Sequence, residues 1–532
     1  MQITSFSFFL FLIAVLALYY LVPRRFQWGV LLLASLVFSL SQGAKQMIFL
    51  GFTALSVYAG ARRIQALSDA EKEKRAKTSF SAEEKKGYKQ AGKRRRKRVM
   101  LLVLLSNLLL LLVFKYLGFF MDQVNLVAGF LTGSPVLGRV SLLAPLGISF
   151  YTFQMIGYLV SVYWGNIRAE RSFFRLLLFC SFFPQITQGP ISEFSDLSGQ
   201  LFAEHSLKEA DFFPGAERLL WGFFKKMVVA DALAPCVQDV FANYAQYAAP
   251  TVLIGAFLYS VQIYADFSGY MDIMCGLCRM MGIRLTENFT RPYFSKSIAE
   301  YWRRWHISLG AWFKRYVYYP VGISRWNRNL GKWAKRRFGQ RLGDTIPATV
   351  ALTVVWLATG LWHGASWAYI IWGLVNGLFI ILSLWLEPIY AKGRSFFHVQ
   401  EHPKIWRLFQ VLRTFFLVTL IKVLPEVGSL RDGFGLVGRI FSGPMLVHSL
   451  QGLLPFVEWG VLTRILFFLA ACLGTLCMLL HSLAQARGWH ARHSGRRARF
   501  LRVLRCCILA FLILTFGVQN SWGGGGFLYA QF

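Results

Sequence analysis

Residues 346–386 read IPATVALTVVWLATGLWHGASWAYIIWGLVNGLFIILSLWL, a stretch in which no Asp, Glu, Lys or Arg occurs. Two apolar runs, 346–362 and 366–386, are separated there only by residues 363–365. A helix that crosses the hydrocarbon core of a bilayer needs about 20 largely apolar residues, and each run approaches or reaches that length. The stretch therefore predicts two membrane-spanning helices joined by a very tight turn.

The rest of the chain has the same apolar character. Of its 532 residues 55% are hydrophobic and 16% are charged, whereas soluble domains carry about 25% charged residues. We therefore predict an all-α polytopic membrane protein with roughly 11–12 spans, the first of them retained rather than cleaved as a signal peptide. The predicted spans are 3–22, 27–42, 46–60, 99–121, 142–163, 251–274, 346–362, 366–386, 405–425, 461–484 and 501–519. Between them, 172–250 is predicted to hold one further crossing plus re-entrant or interfacial helices.

The excess of basic residues predicts the orientation of these spans. Lys and Arg total 58 against 25 Asp and Glu, a formal charge of +33. Most of them lie in short stretches between apolar runs, where they favour the cytoplasmic side rather than nucleic-acid binding. Placing the clusters at 24–25, 62–98, 314–341 and 492–502 in the cytoplasm gives a path that alternates correctly. The N-terminus and the tail after the last span are then outside, and 62–98 can attract anionic membrane lipid.

These features predict one integral membrane domain over 1–532. Within it, 62–98 is a basic cytoplasmic loop, 145–380 is a motif-bearing core, and 520–532 is an extracytoplasmic tail. The eight cysteines mostly lie inside apolar segments, which argues against a secreted disulfide framework. Cys275 and Cys278 form a C-x-x-C motif without a βαβ pattern around it, so we predict no metal and no redox site.

Two of the nine histidines stand apart from the solvated loops. His363 lies between the two apolar runs of 346–386, and a titratable side chain at membrane depth is a candidate for function. Glycines at 360 and 364 leave room there for a substrate to approach the backbone. Spacing alone equally fits a structural histidine that caps a tight helical hairpin.

His306 lies in WRRWHISL at 302–309. Trp302, Trp305 and Leu309 fall on one face of a helix, which is typical of an interfacial helix, and His306 is then either structural or catalytic. Asp266 and Asp272 are rare acidic residues at membrane depth. They fit either a proton relay of a transporter or hydrogen-bonded partners that hold a helix break.

Four segments in this order resemble the motifs of the membrane-bound O-acyltransferase family. They read YADFSGYMD at 264–272, ENFTRPYFS at 287–295, WRRWHISL at 302–309 and GLWHG at 360–364. The chain is similar to the bacterial branch of alginate and peptidoglycan O-acetyltransferases and teichoic-acid D-alanine transferases. One position departs from that branch, because Asn376-Gly377 stands where relatives often have a histidine before the glycine.

The resemblance implies a helical fold around a central funnel, with His363 as the active-site histidine and His306 as the second histidine of the site. We expect His363 to act as a general base, since a neutral imidazole can take a proton from an attacking hydroxyl near pH 7. The residues expected to contact substrate are Trp362, Trp305, Arg304, Asp266 and Asn288. The Arg-rich segment 303–341 either marks topology or holds the phosphopantetheine arm of a donor.

The expected activity is O-acylation of an extracellular polysaccharide or cell-wall polymer at a bacterial plasma membrane. The donor is a cytoplasmic thioester, acetyl-CoA or an acyl carrier protein, and no cofactor is bound. F-x-Y-x-x-F endings recur in the family, so Tyr529 is either an acyl carrier that serves an extracytoplasmic hydrolase-fold partner or an aromatic membrane anchor. The alternatives are a transporter or flippase, for which the sequence offers no inverted repeat, and a non-catalytic scaffold for a cell-envelope modification complex.

Overall fold

Helices make up 82% of the structure, a computed structural model that describes residues 1–138, 145, 147–396, 398–444, 461–486 and 496–518. Within those ranges no strand forms, and extended pairing is limited to an isolated bridge between Phe289 and Trp305. The predicted all-α class is therefore confirmed.

The chain divides into two compact units, Met1–Gly215 with Leu277–Leu285, and Ala216–Gly276 with Thr286–Phe532. The first helices are α1 Phe6–Leu21, α2 Gln27–Leu40, α3 Ala44–Lys77, α4 Ala82–Thr132, α5 Ile148–Trp164, α6 Phe173–Ser181, α7 Phe183–Ile186 and α8 Phe194–Leu201. Next come α9 Glu209–Phe223, α10 Asp231–Ala242, α11 Ala249–Met280, α12 Ile298–Arg304, α13 Ile307–Phe313, α14 Tyr319–Gly322 and α15 Arg325–Phe338. The remaining helices are α16 Gln340–His363, α17 Trp367–Trp385, α18 Glu387–Phe396, α19 Pro403–Val423, α20 Leu430–Ser442, α21 Val461–Ala486 and α22 Arg496–Phe516.

Several of these helices are long and apolar enough to cross a bilayer. Among the described residues they are α4, α11, α16, α17 and the Leu466–Ala484 part of α21, and the shorter α1 is apolar as well. Large apolar side chains on them face outward, such as Leu102 at 72% and Phe130 at 91% exposed. Lipid solvates such faces, whereas water does not. The chain is a multi-pass membrane protein.

The segment 62–98, predicted as a basic loop between spans with partial helical character, is almost entirely helical. α3 runs on to Lys77 and α4 begins at Ala82. Ser81 and Glu84 form a reciprocal capping box that satisfies backbone N–H groups at the start of α4. Farther along, Arg96 pairs with Glu71 at 2.6 Å and ties the two helices together. Charge density suggested a loop here because helix caps and interhelical pairs are weaker signals than a run of lysines and arginines.

Candidate active site

The WRRWHISL segment does not form one helix, and the predicted continuous interfacial helix over 302–309 is wrong. α12 ends at Arg304, Trp305 is extended, and His306 adopts a left-handed backbone conformation with φ 48° and ψ 52° before α13 begins. A non-glycine residue held in that region costs of the order of 1–3 kcal/mol and persists only where the surroundings impose it. The break places His306 at the junction of two short helices.

The neighbouring ENFTRPYFS segment holds this junction. The Thr290 amide donates to the Arg304 carbonyl at 3.0 Å, and the Ile307 amide donates to the Asn288 carbonyl at 3.1 Å. The Asn288 side-chain oxygen accepts from the Ser308 amide at 3.0 Å. These bonds satisfy backbone groups that the interrupted helix leaves free, so Asn288 fixes the chain on the far side of His306.

His363 is the last residue of α16, and α17 starts four residues later, as the apolar runs predicted. Ser366 caps α17, its hydroxyl accepting from the Tyr369 amide at 3.4 Å. The imidazole packs edge-on against Trp372, with ring centroids 4.8 Å apart, and lies 6.3 Å from the ring of Tyr369. With 5% of its surface exposed, His363 is held in an aromatic environment.

The glycines beside His363 serve helix packing rather than substrate approach, contrary to the expectation. A Cβ at Gly360 would lie 2.5 Å from the Tyr369 carbonyl oxygen, and one at Gly364 would lie 2.2 Å from the Tyr369 ring. Gly373 in α17 is equally close to the backbone of Trp356 in α16. The absent side chains thus let α16 and α17 approach closely.

Trp362 brings the two predicted histidines into one site. Its ring centroid is 4.9 Å from that of His363 and 6.0 Å from that of His306. Phe267, from the YADFSGYMD segment, packs edge-on against His306 at 4.9 Å. Residues from α11 and from the end of α16 therefore meet at the His306 imidazole, in the α12–α13 junction.

The two histidines differ in their surroundings. Only 1% of His306 is exposed, and burial lowers the pKa of its imidazole to about 3. Such a ring stays neutral through the physiological range, where it can donate or accept a hydrogen bond but is a weak proton acceptor. The role of His363 as the general base stays a prediction.

The remaining predicted residues lie around this site with partners inside the protein. Trp305 is buried among Phe289, Tyr293 and Tyr301. Arg304 pairs with Glu300 at 2.5 Å. Direct substrate contact by Trp362, Trp305, Arg304, Asp266 and Asn288 stays a prediction. Tyr529 lies outside the described residues.

Asn376 occupies the place of the histidine that relatives often carry. Its side-chain oxygen accepts from the Trp302 indole at 3.0 Å, and its amide nitrogen donates to the Trp372 carbonyl at 2.8 Å. It thereby connects α12 to α17 close to both histidines. An amide fulfils this bridging role without a titratable group.

Asp266 and Asp272 belong to a buried ion-pair network that sequence reasoning missed. Between α9 and α10 the chain forms a π-helical turn, Phe224–Ala230, which carries Lys225 and Lys226. Lys226 lies 2.7 Å from Asp266 and 2.9 Å from Asp231, and Lys225 lies 2.5 Å from Asp272. These contacts hold the π turn against α11. The geometry therefore favours a structural role for the two aspartates over a proton relay.

Lys422 is a second feature that sequence reasoning missed. It interrupts an apolar stretch of α19 and is only 7% exposed. Its amine lies 3.8 Å from the centroid of Trp305, and it donates to the Tyr293 hydroxyl at 2.8 Å. A lone lysine inside a predicted span is the signal that would have marked it.

Basic side chains are concentrated in two further places. α15 carries cations along its length and exposes Trp326 and Trp333, as an interfacial helix does. A cleft of about 540 Å³ lies where α18 precedes α19. Its lining residues are Lys296, Arg394, Val399, Pro403, Lys404, Trp406, Arg407 and Gln410.

Comparison with known families bears on all of these residues. The membrane-bound O-acyltransferase family matches residues 167–325 and 322–424, a region that contains His306, His363 and Lys422. Over these residues the chain is similar to the membrane-bound O-acyltransferase family.

Several proteins similar to this chain are named for the polymers that they modify. A probable alginate O-acetylase of Pseudomonas aeruginosa is 35% identical over 62% of this chain and 57% of its own length. A peptidoglycan O-acetyltransferase of Helicobacter pylori is 32% identical over 63% of each chain. A teichoic acid D-alanyltransferase of Bacillus subtilis is 29% identical over 45% of this chain and 58% of its own. The chain thus spans less than two thirds of the length of these relatives.

Proposed function

We propose that this protein transfers a small acyl group, such as acetyl, from a cytoplasmic thioester to a hydroxyl group on the outer side of a bacterial plasma membrane. The observation that carries the proposal is the convergence of His306 and His363 on Trp362. Both histidines are buried and lie within the part of the chain that matches an acyltransferase family.

Because a thioester is already activated, the reaction mainly requires that donor and acceptor be aligned and that a proton be transferred. The His363 imidazole takes the proton of the acceptor hydroxyl as the oxygen attacks the thioester carbonyl. The carbon–sulfur bond then breaks, and the leaving thiolate takes that proton back from the imidazolium. A positioned base of this kind typically contributes about 10²–10⁴-fold to the rate.

The surrounding tryptophans suit this role. Trp362 and Trp372 pack against the His363 ring, with centroids 4.9 and 4.8 Å away, and this apolar enclosure holds the ring in place. It also limits access of water, which would otherwise hydrolyse the thioester. His306, neutral and fixed at its strained junction, is suited to hydrogen-bond one of the reactants.

The names of the relatives support the choice of acceptor. Alginate, peptidoglycan and teichoic acid are envelope polymers, so we assign an extracellular polysaccharide or cell-wall polymer as the acceptor. The donor is acetyl-CoA or an acyl carrier protein. The cations of 303–341, including those of α15, are suited to bind its phosphates.

The proposal includes an acyl relay. Tyr529 would accept the acyl group on its phenolic oxygen, and an extracytoplasmic hydrolase-fold partner would pass it to the polymer. An aryl ester is a reactive acyl donor, which makes the second transfer favourable. Four glycines at 523–526 precede this ending in the sequence.

One assay tests both steps. The full-length protein in lipid nanodiscs is given labelled acetyl-CoA and, separately, labelled acyl carrier protein, and thioester loss is followed together with label on protein and polymer. His363→Ala should reduce thioester loss by about 10²-fold or more. His402→Ala is the matched control, since His402 is exposed and its side chain makes no capping bond. Tyr529→Phe should abolish label on the tail and on the polymer.

Substantial transfer by well-folded His363→Ala protein would refute the general base. Normal polymer labelling by Tyr529→Phe would refute the relay and favour the membrane anchor. Wild-type protein that consumes neither thioester, with the partner and polymer present, would refute the proposed function itself.

A further inference from the structure

The left-handed conformation of His306 needs support from both sides of the chain. On one side, Asn288 and Thr290 bond to the backbone around it. On the other side, the extended residue Trp305 precedes it, and what fixes the Trp305 ring also fixes the direction in which the chain enters His306. The contacts of that indole are therefore part of the site.

The Lys422 amine is surrounded by aromatic faces. It lies 3.8 Å from the centroid of Trp305, 4.8 Å from that of Tyr293 and 5.3 Å from that of Tyr301. The negative faces of such rings attract a protonated amine, and the attraction grows where water is excluded.

The Lys422 amine also has a hydrogen-bond partner other than Trp305. It donates to the Tyr293 hydroxyl at 2.8 Å, and that hydroxyl donates to the Ser260 carbonyl in α11. One turn before Lys422, Thr419 bonds to the Ser260 side chain at 2.9 Å. α19 is thus held to α11 by two adjacent contacts, which prevents Lys422 from following any movement of Trp305.

We propose that Lys422 is a positioning residue, whose amine fixes the Trp305 ring and through it the strained junction that presents His306 to the reaction. The inference rests on the proposed function, because His306 matters only if the site catalyses transfer. Lys422 itself does not bond to the reactants. Its effect on the rate is transmitted through Trp305.

Amide hydrogen exchange on the full-length protein in nanodiscs tests the positioning directly. Lys422→Met keeps the length of the side chain and removes the charge. We expect the amides of Ile307 and Ser308 to exchange about tenfold faster in this variant, while the peptide 340–363 is unchanged. Lys422→Arg retains the charge and should stay close to wild type. Lys392→Met, at an exposed lysine of α18, is the matched control.

Steady-state kinetics tests whether Lys422 affects the transfer rate through His306. In Lys422→Met, kcat should fall by up to about 10²-fold, as small misplacements of reacting groups can cause, with KM for the donor nearly unchanged. In a His306→Ala background the same change should have little further effect, because both act through one junction. Equal losses in both backgrounds would contradict the inference.

The outcomes separate the two proposals. Unchanged exchange at Ile307 and Ser308 overturns the positioning role whatever the activity. Faster exchange in a protein whose wild type transfers nothing supports the positioning role and refutes the proposed function. If Lys422→Met does not fold, Tyr293→Phe replaces it, since it keeps the ring and removes only the oxygen that accepts from Lys422. The same exchange criterion then applies.

Discussion

Gly360 is the residue at which the separation of α16 and α17 is decided. A Cβ there would meet the backbone of Tyr369 and Ile370 at 2.5 and 3.1 Å. Backbone atoms cannot turn aside as a flexible side chain can, so the helices would have to move apart. His363 lies one turn farther along α16 and would move with it.

Gly360→Ala should therefore destabilise the protein by about 1–3 kcal/mol, as overpacking does, and should also lower transfer. Gly129→Ala in α4 is the control, because nothing lies within 4 Å of its Cβ position. Thermal unfolding in nanodiscs and the thioester assay measure both effects. If Gly360→Ala melts and turns over like Gly129→Ala, the close approach of the helices is not required.

At the level of residues, the sequence predicted identities better than conformations. His363, His306 and Trp362 were singled out, and the structure brings them together. The left-handed backbone of His306 was not predicted, because it depends on bonds to Asn288, which is far away along the chain. Lys422 was marked by a local signal, a lysine inside a predicted span, but its aromatic partners come from other segments and could not be predicted.

At the level of elements, apolar runs were the reliable signal and polar stretches were not. The hairpin of α16 and α17 was predicted with ends correct to a few residues, apart from the polar start of α16. The helical extent of α3 and α4 across 62–98 was predicted only in part, and the π turn at Phe224–Ala230 was missed. Both depend on ion pairs between segments, which periodicity does not record.

The buried charges at the π turn lead to a prediction about stability. Lys226 lies between the carboxylates of Asp231 and Asp266, all of them nearly inaccessible. Lys226→Met leaves two buried carboxylates facing each other and should cost about 3–5 kcal/mol. Asp266→Asn leaves one intact pair and should cost much less. Replacing all three by neutral residues should recover part of the loss, as judged by thermal unfolding.

Two other results would change the interpretation of this network. If Asp266→Asn leaves stability unchanged but raises KM for an acceptor, the aspartate contacts substrate, as the sequence predicted. If both single variants lose the same stability, the network does not depend on its central lysine.

At the level of the whole molecule, the multi-pass architecture and the similarity to an acyltransferase family were predictable, because they depend on hydropathy and on ordered motifs. The side of the membrane on which each segment lies stays a prediction. It depends on the parity of the spans between the basic clusters. α4 offers a direct test, since it is one continuous helix from Ala82 to Thr132.

Single cysteines at Ser81 and Ser134, beyond the two ends of α4, should lie on opposite sides of the membrane. In a chain without its native cysteines, an impermeant thiol reagent should label Ser134→Cys on intact cells. Ser81→Cys should react only after permeabilisation, because the positive-inside rule places 62–98 in the cytoplasm. The opposite pattern would invert the topology, and equal labelling would contradict a crossing by α4.

The length of α4 also sets how far its charges reach. The basic part of the helix begins at Ala82 and continues without interruption into the apolar part. At 1.5 Å per residue, the basic part extends for about 25 Å. The Debye length in physiological salt is about 8 Å. Cations near Ser81 and those near the apolar part are therefore electrostatically independent. The cations at one end of the basic part therefore respond to ionic strength and to lipid composition independently of the cations at the other end.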